Sequence, residues 1–355
     1  MGARAVLPGH RDRRHPSGAA RAAIGHLTAS PTFRYSVGRV LQAIPTILLV
    51  GVANFLLLRL APGDMADVLA GEAGAATPEY MAQLRAEFGL DQSIWVQFYR
   101  YATRLVHFDL GYSFRYNATV FDLIIGRLGA TVLLMAVSIT IAMSLGVLLG
   151  TAAARFRGTV FDELISIVST IGFAVPLFWV GMMAIVLFSV RLEWLPIGGM
   201  TTLGAPAVGW VNHLIDMVRH LVLPATTLSI FYIAIYARFA RSAVLEVSQL
   251  DFVRTARAKG ISEARILLRH VLRNALLSIV TLTGYQLGSM LSGSIVVETV
   301  FAWPGLGRLA FDAVAGRDFN LLLGIFFCNS LLVILMNVIV DLGYAWLDPR
   351  IEVHS

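Results

Sequence analysis

Six long apolar runs constrain the fold of this sequence more than any other feature. They cover residues 41–60, 128–153, 164–190, 221–236, 276–297 and 321–342. Most of them approach or exceed the roughly 17 to 25 residues that an α-helix needs to cross a bilayer. Charged residues make up only 14% of the chain, against about a quarter in soluble domains. We therefore predict an all-α membrane protein with six transmembrane helices.

The fourth run is the least certain of these spans because it is short and carries Pro224 near its beginning. A proline is tolerated in the first turn of a helix, where its missing N–H would have no partner anyway. Losing this span would invert the topology of everything that follows it.

Basic residues predict the orientation of the chain. Arginines are frequent in residues 1–36, in the loop that follows the second run and in the loop between the fourth and fifth runs. Loops rich in Arg and Lys stay in the cytoplasm, so we expect both termini there. The same placement, next to anionic lipid, accounts for the pI of about 9.8 and argues against a nucleic-acid partner.

Residues 1–36 carry no apolar core of the kind that a secretory signal has. We interpret them as a disordered basic cytoplasmic tail. A lipid-binding arm and a mis-assigned start codon are alternative explanations.

The longest segment between runs, residues 61–127, holds more acidic residues than arginines and is therefore expected outside the cytoplasm. Thr77 and Pro78 are typical of a helix start, and residues 94–106 have helical apolar spacing. We predict a small helical cap here. It is either a contact platform for a substrate-delivery protein or a lid that shields helix ends.

Residues 251–277, named here the elbow, form a basic segment between the fourth and fifth runs. Asp251 can cap a first short helix over 252–259, and Gly260 supplies the left-handed residue that ends it. Ser262 is expected to start a second helix at an angle, with Ile261 and Ile266 as a hydrophobic staple around it. Its basic side chains then form one stripe at four-residue spacing: Arg265, Arg269 and Arg273. The elbow is thus predicted to be a docking surface.

Nucleotide chemistry is not available to this chain through a P-loop, which needs Gly-Lys before Ser or Thr. The single lysine, Lys259, lies between Ala258 and Gly260. Motifs of hydrolases and zinc enzymes are also missing from the sequence, so we predict neither an enzyme nor a metal site nor a cofactor of its own.

Energy for any transport must therefore come from a partner subunit or from an ion gradient. Gradient-driven carriers usually place ionisable residues near the bilayer centre. In this chain Arg59, Glu298 and Asp341 lie close to the ends of the runs, where snorkelling or loop contacts can satisfy them.

The elbow also carries a family resemblance, because TARAKGIS followed by RHVLRNALL resembles the cytoplasmic EAA loop of ABC-importer permeases of the dipeptide and oligopeptide branch. Three other segments are similar to that branch: LAPGD at 60–64, ETVFAWPGLGR at 298–308 and DLGYAWLDPR at 341–350. The resemblance covers roughly residues 37–351 and implies the type I ABC importer permease fold over that range.

The resemblance implies that the chain acts in the inner membrane and imports short peptides, with nickel chelates or glutathione as alternative solutes. A gradient-driven secondary carrier is a separate alternative that the sequence leaves open. The implied partners are a homologous second permease, two ABC ATPase subunits that bind ATP and Mg, an extracytoplasmic solute-binding protein and membrane lipids. Residues 238–276 would be the coupling loop. Its implied ATPase-coupling residues are Asp251, Phe252, Arg254, Thr255, Ala256, Arg257, Ala258, Lys259 and Gly260.

Small and neutral polar residues within the last two runs are candidates for a translocation pathway or a helix seam. They are Gly284, Gln286, Gly288, Ser292, Asn329 and Asn337. The two asparagines are two turns apart on one side of the sixth helix, so they either line a path or bond to neighbouring helices. The glycine ridge of the fifth helix, like Gly146 and Gly150 in the second, indicates close helix packing or a sliding seam between two permease subunits.

Overall fold

The computed structural model describes residues 31–60, 77–87, 91–202, 204 and 209–347. Its helices are α1 (Pro31–Leu60), α2 (Pro78–Glu87), α3 (Ile94–Val106), α4 (Val120–Arg155), α5 (Val160–Ala174), α6 (Leu177–Ala184), α7 (Gly209–Val247), α8 (Asp251–Ala258), α9 (Leu272–Val300), α10 (Leu306–Ala315) and α11 (Phe319–Leu347). Most of residues 1–36, the predicted tail, lie outside the described ranges, although α1 already begins at Pro31.

Five helices of the described ranges are long and apolar enough to cross a membrane. A sixth span results if the bent pair α5 and α6 crosses once. The count of six transmembrane helices therefore stays a prediction.

The third apolar run, 164–190, is not one straight helix as its sequence indicates. It is broken at Val175 and Pro176 by a bend of 98° between α5 and the segment Leu177–Arg191. Val175 is extended, as residues before proline usually are, so it cannot continue α5. The second half ends in a wide π-helical turn over Ile185–Arg191.

The fourth run is much longer than its apolar part suggests, because α7 extends over 39 residues. Pro224 lies in its middle and is buried, so the expectation that it occupies a first turn is wrong. The polar residues that precede the run are helical as well. Asp216 helps to fix this end, since its carboxylate accepts bonds from the Thr202 N–H and hydroxyl, both at 2.7 Å.

Close packing of α4 against α7 forms the centre of the main core. A Cβ atom on Gly146 would overlap the Cβ of Tyr236, and one on Gly150 would overlap the carbonyl oxygen of Ala237. The two glycines thus let the helix backbones approach each other, as small residues do between membrane helices. Large side chains such as Leu228 fill the core beside this contact and are fully buried.

Two short strands, β1 (Tyr112–Ser113) and β2 (Ala118–Thr119), pair antiparallel before α4 and were not predicted from the sequence. The Ser113 hydroxyl donates to the Asp318 carboxylate just ahead of α11. Next to this hairpin a second core cluster joins the start of α4 to α10 and α11, with Ile124, Leu309 and Leu321 buried in it.

Candidate functional site

The first arm of the elbow is α8, and its C-terminus has the geometry of a Schellman motif. The N–H of Gly260 donates to the carbonyl of Arg257 at 2.9 Å, and that of Ile261 donates to Ala256 at 3.3 Å. Gly260 has φ +75°, and a Cβ atom there would meet nothing within 4 Å. The glycine is therefore required by its left-handed backbone rather than by crowding, as predicted from the sequence.

The start of α8 differs from the sequence prediction. Leu250 occupies the N-cap position, and Asp251 is the first helical residue, with no side-chain capping bond. The Asp251 carboxylate instead contacts Arg254 at 3.3 Å, and both side chains are largely exposed. Because a carboxylate in the first helical turn still opposes the helix dipole favourably, Asp251 remains compatible with this position.

The second arm is not a separate short helix. Ser262 precedes a single helical turn, Glu263–Arg265, without a side-chain cap. A π-helical turn, Ile266–Val271, then continues directly into α9. The second arm is therefore continuous with a candidate membrane span, which runs from Glu263 to Val300 and includes this arm.

One face of the elbow is buried against the ends of the membrane helices. Val253 of α8 is fully buried, and Ala256 nearly so. These two side chains form a core cluster with Ala154 of α4, Ala243 and Val244 of α7, Ile266 and Val271 of the second arm, and Ala275 of α9. Three helices and the elbow thus share one apolar cluster, so that α8 cannot move without displacing side chains of α4, α7 or α9.

The opposite face of α8 is exposed and carries most of the predicted coupling residues. Phe252 is 41% exposed although it is a large apolar side chain. Arg254, Thr255, Ala258 and Lys259 are also exposed. A helix with one buried face and an outer face of mixed aromatic and basic character is suited to dock into a groove of another protein.

Arg257 connects the two arms of the elbow. Its guanidinium donates to the carboxylate of Glu263 across Gly260, at 2.8 Å. The side chain is about half exposed, and the neighbouring carboxylate raises the pKa of Arg257 above its ordinary value. This pair adds a second connection across the turn, although exposed pairs contribute little to stability.

A stronger ion pair lies beside the elbow cluster. Arg241 of α7 contacts both carboxylate oxygens of Asp162 of α5, at 2.6 and 2.8 Å. Asp162 is only 5% exposed and also accepts the N–H of Gly158 at 3.1 Å. A bidentate pair with one buried partner fixes the orientation of two elements, and here it ties the beginning of α5 to the same end of α7 that holds the elbow.

Glu298, at the far end of α9, is fully buried. Its carboxylate accepts the hydroxyl of Thr131 at 2.8 Å and the N–H of Arg308 at 3.1 Å. Side chains at Gly305 or Gly307 would collide with that carboxylate, so both glycines are needed for its enclosure. Neither sequence explanation, snorkelling or loop contacts, describes this site, because the carboxylate is buried and its donors lie on α4 and at the start of α10.

The turn 301–307 is held in place by the same arrangement. Trp303 is fully buried, and its indole N–H donates to the carbonyl of Ala130 at 2.9 Å. The N–H of Leu306 donates to the Thr131 hydroxyl at 2.8 Å. Residues 298 and 131 are far apart in the sequence, which is why no sequence pattern indicates this network.

The pathway and seam candidates lie mostly between α9 and α11. A Cβ atom on Gly284 would lie 3.2 Å from Val340, and one on Gly288 would lie 3.5 Å from Val333. Asn337 lies next to Gly284, with 3.7 Å between that Cβ position and its Oδ1. These glycines thus pack against a helix of the same chain.

The remaining candidates are not gathered into one site. Gln286 is 5% exposed and its Oε1 accepts the Ser289 hydroxyl at 3.1 Å, whereas Ser292 is exposed. The Oδ1 atom of Asn329 is buried and has no hydrogen-bond partner within the described ranges. Within these ranges, no group of three His, Cys, Asp or Glu side chains is placed to hold a metal ion.

Sequence comparison places these features in a family. The family described as the inner membrane component of binding-protein-dependent transport systems matches residues 146–353, and its N-terminal membrane component matches residues 32–135. A protein of Brucella abortus (strain 2308) named a peptide transport system permease protein is 40% identical over 314 residues, which are 88% of this chain and 97% of the relative. The dipeptide transport system permease protein DppB of Escherichia coli K12 is 37% identical over 335 residues, 90% of this chain and 98% of DppB.

Structural comparison agrees at the level of the fold. A chain of the MetNI methionine ABC transporter in an inward-facing conformation superposes with a TM-score of 0.52 at 17% identity, over 64% of this chain and 96% of that chain. The predicted fold class, a helical ABC-importer permease fold, is confirmed. This chain is a multi-pass membrane protein, and it belongs to the family of inner membrane components of binding-protein-dependent transport systems.

Proposed function

We propose that this chain is the permease subunit of an ATP-driven importer that moves short peptides into the cytoplasm. Support for the substrate class comes from relatives at 37 to 40% identity whose names include peptide or dipeptide transport. Support for the mechanism comes from one observation, the elbow whose inner face is built into the ends of three membrane helices while its outer face is exposed.

The elbow would convert a push from an ATPase subunit into movement of membrane helices. Phe252 and Arg254 on the outer face of α8 would bind a groove of the ATPase. Val253 and Ala256 on the inner face would transmit displacement to α4, α7 and α9 through their shared core cluster. Since packed interiors respond to displacement by repacking rather than by compressing, movement of α8 would switch the helix bundle between two arrangements.

The orientation follows from the same proposal. The elbow, both termini and the loop after α4 would lie in the cytoplasm, where basic residues favour them. The implied complex contains a second, homologous permease, two ATPase subunits that bind ATP and Mg, and a solute-binding protein on the opposite side. The permease chain itself would bind no nucleotide.

Two substitutions at Gly260 test the coupling role with a matched control. In Gly260→Val a β-branched residue is forced to φ +75°, which costs at least about 1–2 kcal/mol. Gly260→Asn introduces a side chain of similar size that tolerates this conformation. We expect the Val variant, reconstituted with its partners, to lose most peptide uptake per ATP hydrolysed, and the Asn variant to keep it.

Normal uptake and normal ATPase rate in the Val variant would contradict the coupling role of this turn. Charge reversal at Arg254 is the complementary test, because its exposed pair with Asp251 contributes little to folding. We expect Arg254→Glu to reduce co-purification of the ATPase subunits. Undiminished recovery would show that this face does not dock there.

Uptake measurements also separate the alternatives. Uptake of labelled dipeptides that requires ATP and survives collapse of ion gradients supports the proposal, whereas gradient-dependent uptake without ATP would make the chain a secondary carrier. Competition by nickel chelates or glutathione, in the absence of competition by peptides, would assign one of those solutes instead.

A further inference from the structure

Helix α3, in the segment before α4, carries two adjacent apolar stripes. The first packs against the candidate span α1. Phe98 and Tyr101 contact Phe55 with ring centroids 5.3 and 5.6 Å apart. One helical turn further on, the Cδ2 atom of Leu105 lies 3.3 Å from the Cβ position of Gly51. The last turn of α3 thus contacts a residue farther from the end of α1 than the two preceding turns do.

These contacts place α3 at the level of the apolar part of the membrane helices. The apolar part of α1 ends at Leu60, so at about 1.5 Å per residue Phe55 lies about 8 Å and Gly51 about 14 Å inside that end. The neighbouring Asn54 donates to the carbonyl of Leu323, at 3.2 Å, inside the candidate span of α11. The level of α1 that α3 contacts therefore lies inside the apolar spans of both α1 and α11.

The second stripe of α3 has no partner within the described ranges. It consists of Trp95, Tyr99 and Val106, which are 77%, 71% and 77% exposed. Because these residues are spaced by four and seven positions, they lie along one line of the helix, about 100° from the stripe that contacts α1. Trp and Tyr, with an apolar ring and a polar tip, are the residues enriched where a bilayer meets water.

The remaining arc of α3 is polar. Gln97, Arg100 and Arg104 lie on the side away from both stripes. Arg104 is directed along this side by Asp109, whose carboxylate it contacts at 2.7 Å. A helix with one broad apolar arc and a basic polar arc has the composition of helices that lie in a membrane interface.

We propose that α3 is a membrane-associated amphipathic helix, packed along α1, whose Trp95, Tyr99 and Val106 stripe contacts lipid. The occupant of the stripe is the bilayer, because the contacts of α3 lie about 8 to 14 Å inside the apolar span of α1, within the hydrocarbon layer, and because Trp and Tyr side chains are typical membrane anchors. The inference rests on the chain spanning a membrane and is independent of the transported solute. It assigns this part of the 61–127 segment to the bilayer rather than to a delivery protein.

Site-directed spin labelling tests the proposal directly. The chain has one cysteine, Cys328, so Cys328→Ser in an otherwise cysteine-free complex provides the background. Single variants Trp95→Cys, Tyr99→Cys and Val106→Cys are labelled, and Arg100→Cys on the polar arc is the matched control. The complexes are reconstituted into vesicles of phosphatidylethanolamine and phosphatidylglycerol, and collisions with oxygen and with a water-soluble nickel chelate are measured.

We expect labels at 95, 99 and 106 to collide more with oxygen than with the nickel chelate, and the label at 100 to show the reverse order. Greater access of the nickel chelate at the three stripe positions would place the stripe in water and overturn the proposal. Immobile labels that neither reagent reaches would mean that protein covers the stripe, which also overturns it. So would immobilisation of these labels only after addition of the solute-binding protein, since that result assigns the stripe to this partner.

Discussion

Substitution of Gly150 by alanine tests the close contact between α4 and α7. An added Cβ would overlap the carbonyl oxygen of Ala237 and lie 2.8 Å from the Cβ of Ala240. Both groups belong to the backbone or sit directly on it, so no flexible side chain can move aside. The two helices must therefore separate locally.

The size of the effect follows from two opposing terms. Inserting a methyl group into a packed interior costs about 1–3 kcal/mol. Replacing glycine by alanine within a helix returns about 0.5–1 kcal/mol. We therefore expect Gly150→Ala to destabilise the subunit by about 1–2 kcal/mol.

Gly126 provides the matched control within the same helix. It is exposed, and a Cβ atom there would meet nothing within 4 Å in this chain. Without a steric clash, the only effect left is the higher helix propensity of alanine, so Gly126→Ala should stabilise the subunit by up to about 1 kcal/mol. The two variants make the same chemical change and should shift stability in opposite directions.

SDS titration of the purified subunit in mixed micelles, followed by circular dichroism, measures both free energies of unfolding. The contrast in sign is the result that matters, because it does not depend on the absolute scale of the titration. If Gly150→Ala were as stable as Gly126→Ala, the backbones of α4 and α7 would not be in contact, and the account of the main core would be refuted.

Three further substitutions probe ionisable groups by the same titration. Glu298→Ala should destabilise by about 1–3 kcal/mol for each of the two donors that lose their acceptor, and Glu298→Gln by less; an unchanged midpoint for the Ala variant would contradict its burial. Asp162→Ala should lower the free energy of unfolding by about 1–3 kcal/mol, a modest value because Arg241 is about a third exposed and partly screened by solvent. Adding Arg241→Ala should restore part of that stability, and effects that simply add would argue against the ion pair. Arg104→Ala should change stability by no more than about 0.5 kcal/mol, since both it and Asp109 are about half exposed, and a larger loss would indicate an undescribed partner.

The sequence was most informative where local chemistry decides the structure. Gly260 was predicted as a left-handed helix end, and the backbone there requires that conformation regardless of the rest of the fold. The helices Pro78–Glu87 and Ile94–Val106 were likewise indicated by a start signal and by apolar spacing. The permease fold was predicted from several short segments in a fixed order, and the relatives confirm it.

Errors arose where distant residues decide the structure. Hydropathy alone indicates a short fourth span. The polar residues before it are also helical and are held by tertiary contacts such as that between Asp216 and Thr202, which a search for apolar runs cannot detect. The burial of Glu298 depends on Thr131, which lies on another helix. The bend at Pro176 is not predictable from the sequence, because proline is tolerated within membrane helices and does not by itself indicate a break.

The coupling and pathway assignments stay predictions for a different reason. Residues of the outer face of α8 acquire their role only through a second protein, so neither sequence nor a single chain can test it. For Asn329, the buried oxygen without a described partner fits a pathway residue and a contact with another subunit equally well.

The bend between α5 and α6 has a consequence for the surroundings of this chain. Each half contains 15 residues, counting the π-helical turn with α6, and is therefore about 22 Å long. Neither half alone crosses a hydrocarbon layer of about 30 Å. The last carbonyls of α5 have no successor turn to bond them, and acyl chains offer no donors. Donors for these carbonyls must therefore come from water or from a neighbouring protein segment, and one side of this corner already packs on α7 through the stacked rings of Phe173 and Phe231. The surface of the chain at this bend is thus less suited to contact acyl chains than the surface of a straight span.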